Sequence, residues 1–209
     1  MSEPDAPGPG PTSDTSSDEY AERLVALQGV WWKRLLNVQA PYRWNLRRLQ
    51  LGRALDVGCG IGRNLAALPG GGVGVDHNAS CVRVARSQGL TAYEPADFHR
   101  SEHAVPDSFD SLLIAHVLEH LHEDEADGLL DEYLPYLRPG GRVAMITPQE
   151  RGYASDATHV RFVDFAGLRR QAQRCGLHEE KAYSFPFPRR LGKAFVYNEF
   201  CFVAVSARP

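Results

Sequence analysis

Short apolar runs alternate with amphipathic segments along most of this chain. Runs of four to eight residues rich in Val, Leu, Ile and Phe predict strands, whereas apolar residues spaced three or four apart predict helices. The predicted strands are 54–57, 72–75, 90–93, 109–115, 142–147, 178–185 and 194–206, and the predicted helices are 61–68, 79–88, 119–137 and 165–175. This alternation predicts an α/β fold with a doubly wound, mostly parallel sheet whose last strand is antiparallel.

The N-terminal part of the chain has a different pattern. Residues 1–18 are mainly Pro, Gly, Ser, Thr and Asp, which predicts a disordered acidic tail. Residues 19–52 show helical spacing interrupted at Pro41, which predicts a cover of two helices over 20–35 and 42–50. Residues 31–53 contain six basic residues and no acidic one, so this cover either shields the sheet or supplies a base and an aromatic ring to a pocket. Residues 53–209 then form a single core domain.

Composition narrows the class of protein. The chain has 209 residues, of which 43% are hydrophobic, enough for one core, and its net charge of -3 argues against a DNA partner. Four cysteines without CxxC spacing predict free thiols in a reducing cytoplasm. No apolar run reaches the roughly 18 residues of a membrane span, so we expect a soluble cytoplasmic protein. The oligomeric state is left open, a homodimer being one option.

A glycine-rich motif follows the first predicted strand. Residues 56–62 read DVGCGIG, and glycine allows a sharp turn and close approach of a ligand to the backbone. A dinucleotide-binding loop counted from Gly58 would need glycine at the position of Arg63. Asp56 precedes the glycines and can neutralise a cation, whereas phosphates would be repelled. Asp76 ends the next predicted strand and can accept both hydroxyls of a ribose.

Three segments resemble class I S-adenosylmethionine (SAM)-dependent methyltransferases: 54–64 (ALDVGCGIGRN), 74–76 (GVD) and 137–141 (LRPGG). The resemblance covers about residues 45–185 and implies a Rossmann-like, seven-stranded fold with SAM as cofactor. It implies that the glycine loop holds the amino acid end of SAM, that Asp76 holds the ribose, and that 96–98 flank the adenine, although 96–98 depart from the commoner DAxxLPF pattern. The cofactor-binding candidates are Asp56, Gly58, Cys59, Gly60, Asn64, Asp76, His77, Ala96, Asp97 and Ala115.

A cluster of polar residues follows the fourth predicted strand, where 116–120 read HVLEH. HxxEH is also an inverted zinc-protease motif, but that motif needs both histidines on one helix, and His116 closes a strand. The segment resembles the ExxEH of plant-type small-RNA 2′-O-methyltransferases and ubiquinone-pathway O-methyltransferases, which bind a divalent cation there. The resemblance implies metal ligands at Glu119, His120 and, from the loop after the fifth strand, His159, with His116 replacing the first glutamate.

These residues allow three interpretations. They could hold a divalent cation, with Mg²⁺ the commonest choice in cells, although imidazole is a softer ligand than carboxylate. His116 or His159 could instead act as a general base without a metal, or the histidines could be structural. The first two interpretations activate a hydroxyl, which predicts an O-methyltransferase. The catalytic candidates are therefore His116, Glu119, His120 and His159.

Aromatic and basic residues interleave in 183–200 (YSFPFPRRLGKAFVYNEF). They predict either a terminal hairpin packed on the sheet or an aromatic platform for sugar rings. Segments 31–49 and 147–162 give the chain an overall resemblance to actinobacterial polysaccharide methyltransferases, in particular the mycobacterial methylmannose polysaccharide 1-O-methyltransferases. That resemblance implies a sugar or oligosaccharide acceptor. The alternatives are a small phenol, a lipid or an RNA ribose as acceptor, or a non-enzymatic module that only binds the cofactor.

Overall fold

The computed structural model describes residues 39–207. The strands are β1 (Ala54–Val57), β2 (Gly72–Val75), β3 (Ala92–Tyr93), β4 (Phe109–Ala115), β5 (Leu137–Pro148), β6 (Leu177–Phe185) and β7 (Glu199–Ser206). The helices are α1 (Ala40–Arg48), α2 (Ala79–Ser87), α3 (Pro95–Phe98), α4 (Glu123–Tyr133), α5 (Glu150–Tyr153) and α6 (Phe165–Arg174). The predicted tail over 1–18 and the predicted helix over 20–35 lie outside the described residues.

The seven strands form one sheet in the order β3-β2-β1-β4-β5-β7-β6. β1 runs parallel to β2 and β4, and β4 runs parallel to β5. β7 lies antiparallel between β5 and β6. The predicted fold class is confirmed, and the order places the carboxyl ends of β1, β2 and β4 side by side.

Residues of β4 pack on both faces of the sheet, as its continuous apolar run predicted. Leu112 and Ile114 belong to the core cluster on one face, which also contains side chains of α4 and α6. Leu113 and Ala115 belong to the cluster on the other face, together with Leu46 of α1. None of the helices in the described part of the chain is both long and apolar enough to cross a bilayer.

The helix predicted over 61–68 is wrong. The chain makes turns after the glycine loop, followed by a short 3₁₀ helix at Leu65–Ala67. Gly62 has a φ of 83°, outside the helical region. Leu68 is extended (φ -75°, ψ 120°), as expected for a residue before Pro69. These two constraints leave too little chain for an α-helix, so the ligand site does not have the helix N-terminus that the sequence predicted.

Other boundaries also differ from the predictions. Of the helix predicted over 119–137, only α4 is α-helical. A 3₁₀ turn precedes it at Leu118–His120, and another follows it at Leu134–Tyr136, where Pro135 cannot continue the α-helical hydrogen bonding. The polar stretch before β4 contains the short helix α3. The last strand begins at Glu199, five residues later than predicted, because turns follow the 3₁₀ helix Arg189–Lys193 and the N–H of Asn198 donates to the Phe195 carbonyl at 3.2 Å.

Helix α1 is held to the sheet by a buried polar side chain. Asn45 is 1% exposed; its Nδ2 donates to Cys201 Sγ at 3.4 Å, and its Oδ1 accepts from the Tyr183 hydroxyl at 2.7 Å. Leu46 and Leu49 pack into the cluster on this face. The described part of the predicted cover therefore shields the sheet beside β6 and β7.

We predict that Asn45→Ala lowers the free energy of unfolding by about 1–3 kcal/mol, because the Tyr183 hydroxyl and Cys201 thiol lose their buried partner. Arg47→Ala, an exposed change on the same helix, is the control, for which we expect less than about 0.5 kcal/mol. Urea denaturation of both variants measures the difference. Equal stability of the two would show that Asn45 does not anchor α1.

Candidate active site at the carboxyl ends of the strands

The glycine loop is fixed against the end of β2. The backbone N–H groups of Gly58 and Cys59 both donate to the Val75 carbonyl, at 2.8 and 3.1 Å. Gly58 has a φ of 77°, and a Cβ placed there would lie 2.2 Å from Cγ2 of Val117. Only glycine therefore lets the loop pack against the segment that follows β4. The result is a tight backbone turn between the ends of β1, β2 and β4.

Asp76 lies directly beside this loop. Its Oδ2 accepts from the Gly60 N–H at 2.7 Å, and its Oδ1 accepts from the Asn78 N–H at 2.9 Å. Each oxygen keeps lone pairs for further donors. His77 follows it, with a side chain that is 58% exposed. The predicted ribose acid is thus positioned by backbone donors at the edge where the cofactor is expected.

Asp56 is buried beneath the same loop. The residue is fully inaccessible to solvent, and neither carboxylate oxygen has a hydrogen-bond partner among the described residues. Burial and the negative charge of Asp76 raise the pKa of Asp56 to about 7. An unpaired buried carboxylate is costly, so this end of the site fits a ligand with a positive charge, as SAM has.

The remaining cofactor candidates lie along the same edge of the sheet. Cys59 packs toward Gly74 of β2, and burial raises the pKa of its thiol, so it stays protonated. Ala115 ends β4 and is 6% exposed. Ala96 and Asp97 are exposed on α3, after β3, and Asn64 is half-buried after the glycine loop. The order β3-β2-β1-β4 therefore brings these predicted positions to one edge.

Glu119, His120 and His159 form a cluster whose ligand atoms all lie within 4.8 Å of one another. Glu119 and His120 belong to the 3₁₀ turn after β4, whereas His159 belongs to the loop after β5. That loop is held to the turn because the N–H groups of Val160 and Arg161 donate to the Glu119 carbonyl, at 2.9 and 3.1 Å. Three of the four predicted metal ligands are therefore brought together.

Both imidazoles of the cluster have a defined tautomer. Nδ1 of His120 lies 3.1 Å from the Thr158 carbonyl, and Nδ1 of His159 lies 2.7 Å from the Tyr153 carbonyl. A carbonyl only accepts, so Nδ1 of each ring carries a proton, and in the neutral form of each ring the lone pair is on Nε2. Burial lowers the pKa of His120, which favours the neutral ring that a metal needs. This arrangement is typical of metal-binding histidines.

The carboxylate of Glu119 completes the cluster. Glu119 is fully buried, and its Oε2 has no hydrogen-bond partner among the described residues. Its Oε1 lies 3.2 Å from Nδ1 of His116. A buried carboxylate in a cluster with two imidazoles fits a divalent cation.

His116 lies between two carboxylates. Its Nδ1 faces Oε1 of Glu119, and its Nε2 lies 2.9 Å from Oε1 of Glu199. Burial lowers the pKa of His116, but hydrogen bonds to the two carboxylates outweigh it and raise the pKa to about 10. The side chain is 46% exposed, so solvent reduces the size of this shift but not its direction. Both ring nitrogens of His116 therefore face carboxylates, and its predicted roles as base and metal ligand stay predictions.

Glu199, Gln149 and Asn198 were missed by the sequence analysis. Gln149 and Asn198 are fully buried, and Asn198 Nδ2 donates to Gln149 Oε1 at 2.9 Å. Gln149 Nε2 donates to the Glu199 carbonyl at 2.9 Å. These contacts join the loop over 149–163 to the loop over 186–198. The only sequence signal was the presence of polar residues in an otherwise aromatic segment.

The aromatic residues of 183–200 divide between core and surface. Phe185 and Phe200 are buried, as a hairpin packed on the sheet predicts. Phe187 and Tyr197 are 43% and 53% exposed, and each contacts Phe195 edge to face. The hairpin packed on the sheet is therefore observed for the buried residues, whereas the aromatic platform for sugar rings stays a prediction.

We predict that Asp56→Asn stabilises the cofactor-free protein at pH 8, by up to about 4 kcal/mol. Because the pKa of Asp56 is raised in the folded state, the stability of the wild-type protein falls as pH rises from about 4 to about 7. Asparagine does not titrate, so the stability difference between Asp56→Asn and wild type should be largest at pH 8 and smaller at pH 5. Asp110→Asn is the control: its pKa is lowered by the Arg53 N–H and Arg138, so this change should destabilise. Thermal unfolding across this pH range tests both, and a gain from Asp56→Asn that does not vary with pH would contradict the assignment.

Residues 55–145 match the family model described as a methyltransferase domain. A comparison with curated proteins found no match. Among solved structures, a SAM-dependent methyltransferase from Archaeoglobus fulgidus is 17% identical with a TM-score of 0.61, over 79% of this chain and 93% of that chain. A TehB-like SAM-dependent methyltransferase from Corynebacterium glutamicum is 19% identical with a TM-score of 0.61, over 92% of this chain and 100% of that chain.

A third structure is the 1,6-didemethyltoxoflavin-N1-methyltransferase of Burkholderia thailandensis, with 1,6-didemethyltoxoflavin and S-adenosylhomocysteine bound. It is 19% identical with a TM-score of 0.57, over 98% of this chain and 93% of that chain. At these identities the three structures show the shared fold alone. Residues 55–145 thus match a methyltransferase domain, and the described residues adopt the fold of SAM-dependent methyltransferases; together with the glycine loop, these findings support SAM as the cofactor.

Proposed function

We propose that this enzyme is an O-methyltransferase that transfers the methyl group of SAM to a hydroxyl of a sugar or oligosaccharide. We propose further that a divalent cation held by Glu119, His120 and His159 activates this hydroxyl. The observation that carries the proposal is the cluster itself, whose ligand atoms lie within 4.8 Å of one another and which contains a buried carboxylate oxygen without a partner among the described residues.

The chemistry explains why an oxygen acceptor suits this site. A neutral hydroxyl is a weak nucleophile. Its attack on the sulfonium methyl forms an O–C bond while the S–C bond breaks, which gives S-adenosylhomocysteine, and the hydroxyl proton passes to solvent. A bound divalent cation lowers the pKa of a hydroxyl that coordinates it. Glu119, His120 and His159 would hold the cation, and Asp76 and Asp56 would hold and balance the cofactor. The protein then contributes mainly alignment of the two reactants.

The types of ligand in the cluster also influence which cation binds. Mg²⁺ prefers oxygen ligands, whereas two imidazoles and one carboxylate suit Mn²⁺, Co²⁺ or Zn²⁺ better. We therefore propose that a transition metal binds more tightly than the Mg²⁺ expected from its cellular abundance. The second-sphere carbonyls of Thr158 and Tyr153 support this preference, because they hold both imidazoles in the ligand tautomer.

Exposed aromatic side chains support a sugar acceptor. Trp44, Phe162, Phe187 and Tyr197 are 39–56% exposed, and the Tyr42 hydroxyl donates to the Tyr197 carbonyl, which links α1 to the loop over 186–198. Apolar faces beside a few polar groups are the usual lining of small-molecule sites. The Burkholderia enzyme of similar fold is named for methylation of nitrogen, so the fold does not select the acceptor. A phenol, a lipid and an RNA ribose remain the competing acceptors.

We also propose a cytoplasmic location. All four cysteines are free thiols in the structure, and burial raises the pKa of Cys59 and Cys201. Free thiols are typical of a reducing compartment.

We predict that Asp76→Ala weakens SAM binding by about tenfold to a hundredfold, because hydrogen bonds to a charged group are lost. Isothermal titration calorimetry with SAM measures this change. Glu102→Ala, which removes an acid whose side chain is 87% exposed, is the matched control and should leave the affinity unchanged. Undiminished affinity in Asp76→Ala would refute the ribose assignment.

We predict that His120→Ala weakens Mn²⁺ binding at least about tenfold and greatly reduces turnover, while SAM affinity changes less than about threefold. Calorimetry with Mn²⁺ and with Mg²⁺ gives the two cation affinities. Methyl transfer from labelled SAM to mannosides, with EDTA and after Mn²⁺ is restored, gives turnover. His178→Ala, an exposed histidine on β6, is the control.

Full activity in EDTA together with no cation binding would overturn the cation-dependent proposal. Labelling of RNA or of a phenol, but not of any mannoside, would overturn the sugar acceptor and leave the O-methyltransferase assignment in place.

A further inference from the structure

We infer that Glu199 is a positioning residue of the candidate cation site: by binding Nε2 of His116, it holds that ring against Oε1 of Glu119 and leaves Oε2 directed at the cation. This inference rests on the proposed cation site. The three side chains form a continuous carboxylate–imidazole–carboxylate chain, with distances of 2.9 and 3.2 Å. His116 and Glu199 are 83 positions apart, so the fold alone brings them together.

The antiparallel direction of β7 explains why Glu199 reaches the site. β7 begins at Glu199, which is paired with Pro148 at the end of β5 and with Phe185 at the end of β6. The start of an antiparallel strand lies at the edge where the parallel strands end, which is the edge that carries Glu119. The Glu199 side chain is only 12% exposed, so it is directed into the protein.

The backbone around Glu199 is fixed by buried amides. Its carbonyl accepts from Gln149 Nε2 at 2.9 Å, and the Asn198 carbonyl accepts from the Gln149 N–H at 2.9 Å. A Cβ at Gly192 would overlap Gln149, so the loop over 186–198 packs closely on this amide. These contacts give Glu199 a defined position from which to orient His116.

The backbone of His116 indicates why its side chain needs such support. His116 has a φ of 59°, in the left-handed region that residues other than glycine rarely adopt. Such conformations persist where surrounding contacts determine them, and they concentrate at functional sites. The His116 N–H donates to the Ile146 carbonyl at 2.9 Å, which leaves the ring as the part that the two carboxylates orient.

A partner that orients a metal ligand affects metal affinity without touching the metal. With Oε1 engaged by His116, Glu119 offers one oxygen, Oε2, to the cation. Loss of such a second-sphere partner typically weakens metal binding by 10–100-fold. A purely structural link between β4 and β7 would instead change stability and leave cation affinity unchanged, so the two roles can be separated.

The test measures Mn²⁺ affinity by calorimetry in the full-length protein, with SAM affinity and thermal stability recorded for each variant. We expect Glu199→Ala to weaken Mn²⁺ binding at least tenfold and SAM binding less than threefold. Glu199→Gln keeps an oxygen acceptor for His116, so its Mn²⁺ affinity should stay within about threefold of wild type. Glu199→Asp keeps the charge but is too short to reach the ring, so it should resemble Glu199→Ala.

Glu180→Ala is the matched control, because Glu180 forms an ion pair with Arg142 at the opposite end of the sheet and should not affect Mn²⁺. The double variant His116→Ala/Glu199→Ala should bind Mn²⁺ no more weakly than His116→Ala alone, because both residues act through one contact. If Glu199→Ala fails to fold, the Gln and Asp variants give the same comparison.

Wild-type Mn²⁺ affinity in Glu199→Ala or Glu199→Asp, or additive losses in the double variant, would overturn the inference while the proposed cation site stands. Failure of the wild-type protein to bind Mn²⁺ would overturn both.

Discussion

Two buried carboxylates with unpaired oxygens define the candidate active site. Asp56 and Glu119 are both fully inaccessible to solvent, and three of their four oxygens have no partner among the described residues. Removing a carboxylate from water costs several kcal/mol unless a charge or hydrogen bonds replace the lost solvation. The fold therefore places two desolvated carboxylates at the ends of β1 and β4, and because His116 contacts only one oxygen of Glu119, positively charged ligands can compensate the remaining oxygens.

The surrounding structure keeps these carboxylates in place. Gly58 lets the loop above Asp56 lie against Val117, and the loop over 149–163 is tied to the Glu119 carbonyl. Gln149 then joins this loop to the start of β7. Each of these loops is held by contacts between segments that are far apart in the chain. The contacts keep the buried carboxylates in place without a ligand, although burying these carboxylates lowers the stability of the protein.

The sequence predicted the strands and the cofactor loop well because both depend on local patterns. Apolar runs mark buried strands wherever they pair, and the spacing of Asp56, Gly58 and Asp76 is fixed within one β-loop-β unit. The helix over 61–68 failed because the φ of Gly62 depends on packing against Ala85 and Leu90, which the local pattern does not show.

The site beyond β4 was only partly predictable. Glu119 and His120 are adjacent in the chain, and the resemblance to cation-dependent enzymes supplied His159. Glu199 could not be found in this way, because it meets His116 only after β7 is inserted between β5 and β6. A glutamate at the start of a strand has no distinguishing pattern, so its partner is visible only in three dimensions.

The candidate cofactor site and the candidate acceptor side therefore differ in how far the sequence predicts them. The candidate cofactor site lies at the ends of β1 and β2, and its residues are close in sequence. The candidate acceptor side lies at the end of β4 and at loops after β5 and β6, which the sheet order brings together. The shared sheet therefore constrains the methyl donor much more than the acceptor. In the proposed function, Asp56 lies on the donor side and Glu119 on the acceptor side, so different ligands would compensate the two buried carboxylates. A cation bound at Glu119 would lie where an acceptor hydroxyl must lose its proton, whereas the positive charge of SAM would compensate Asp56.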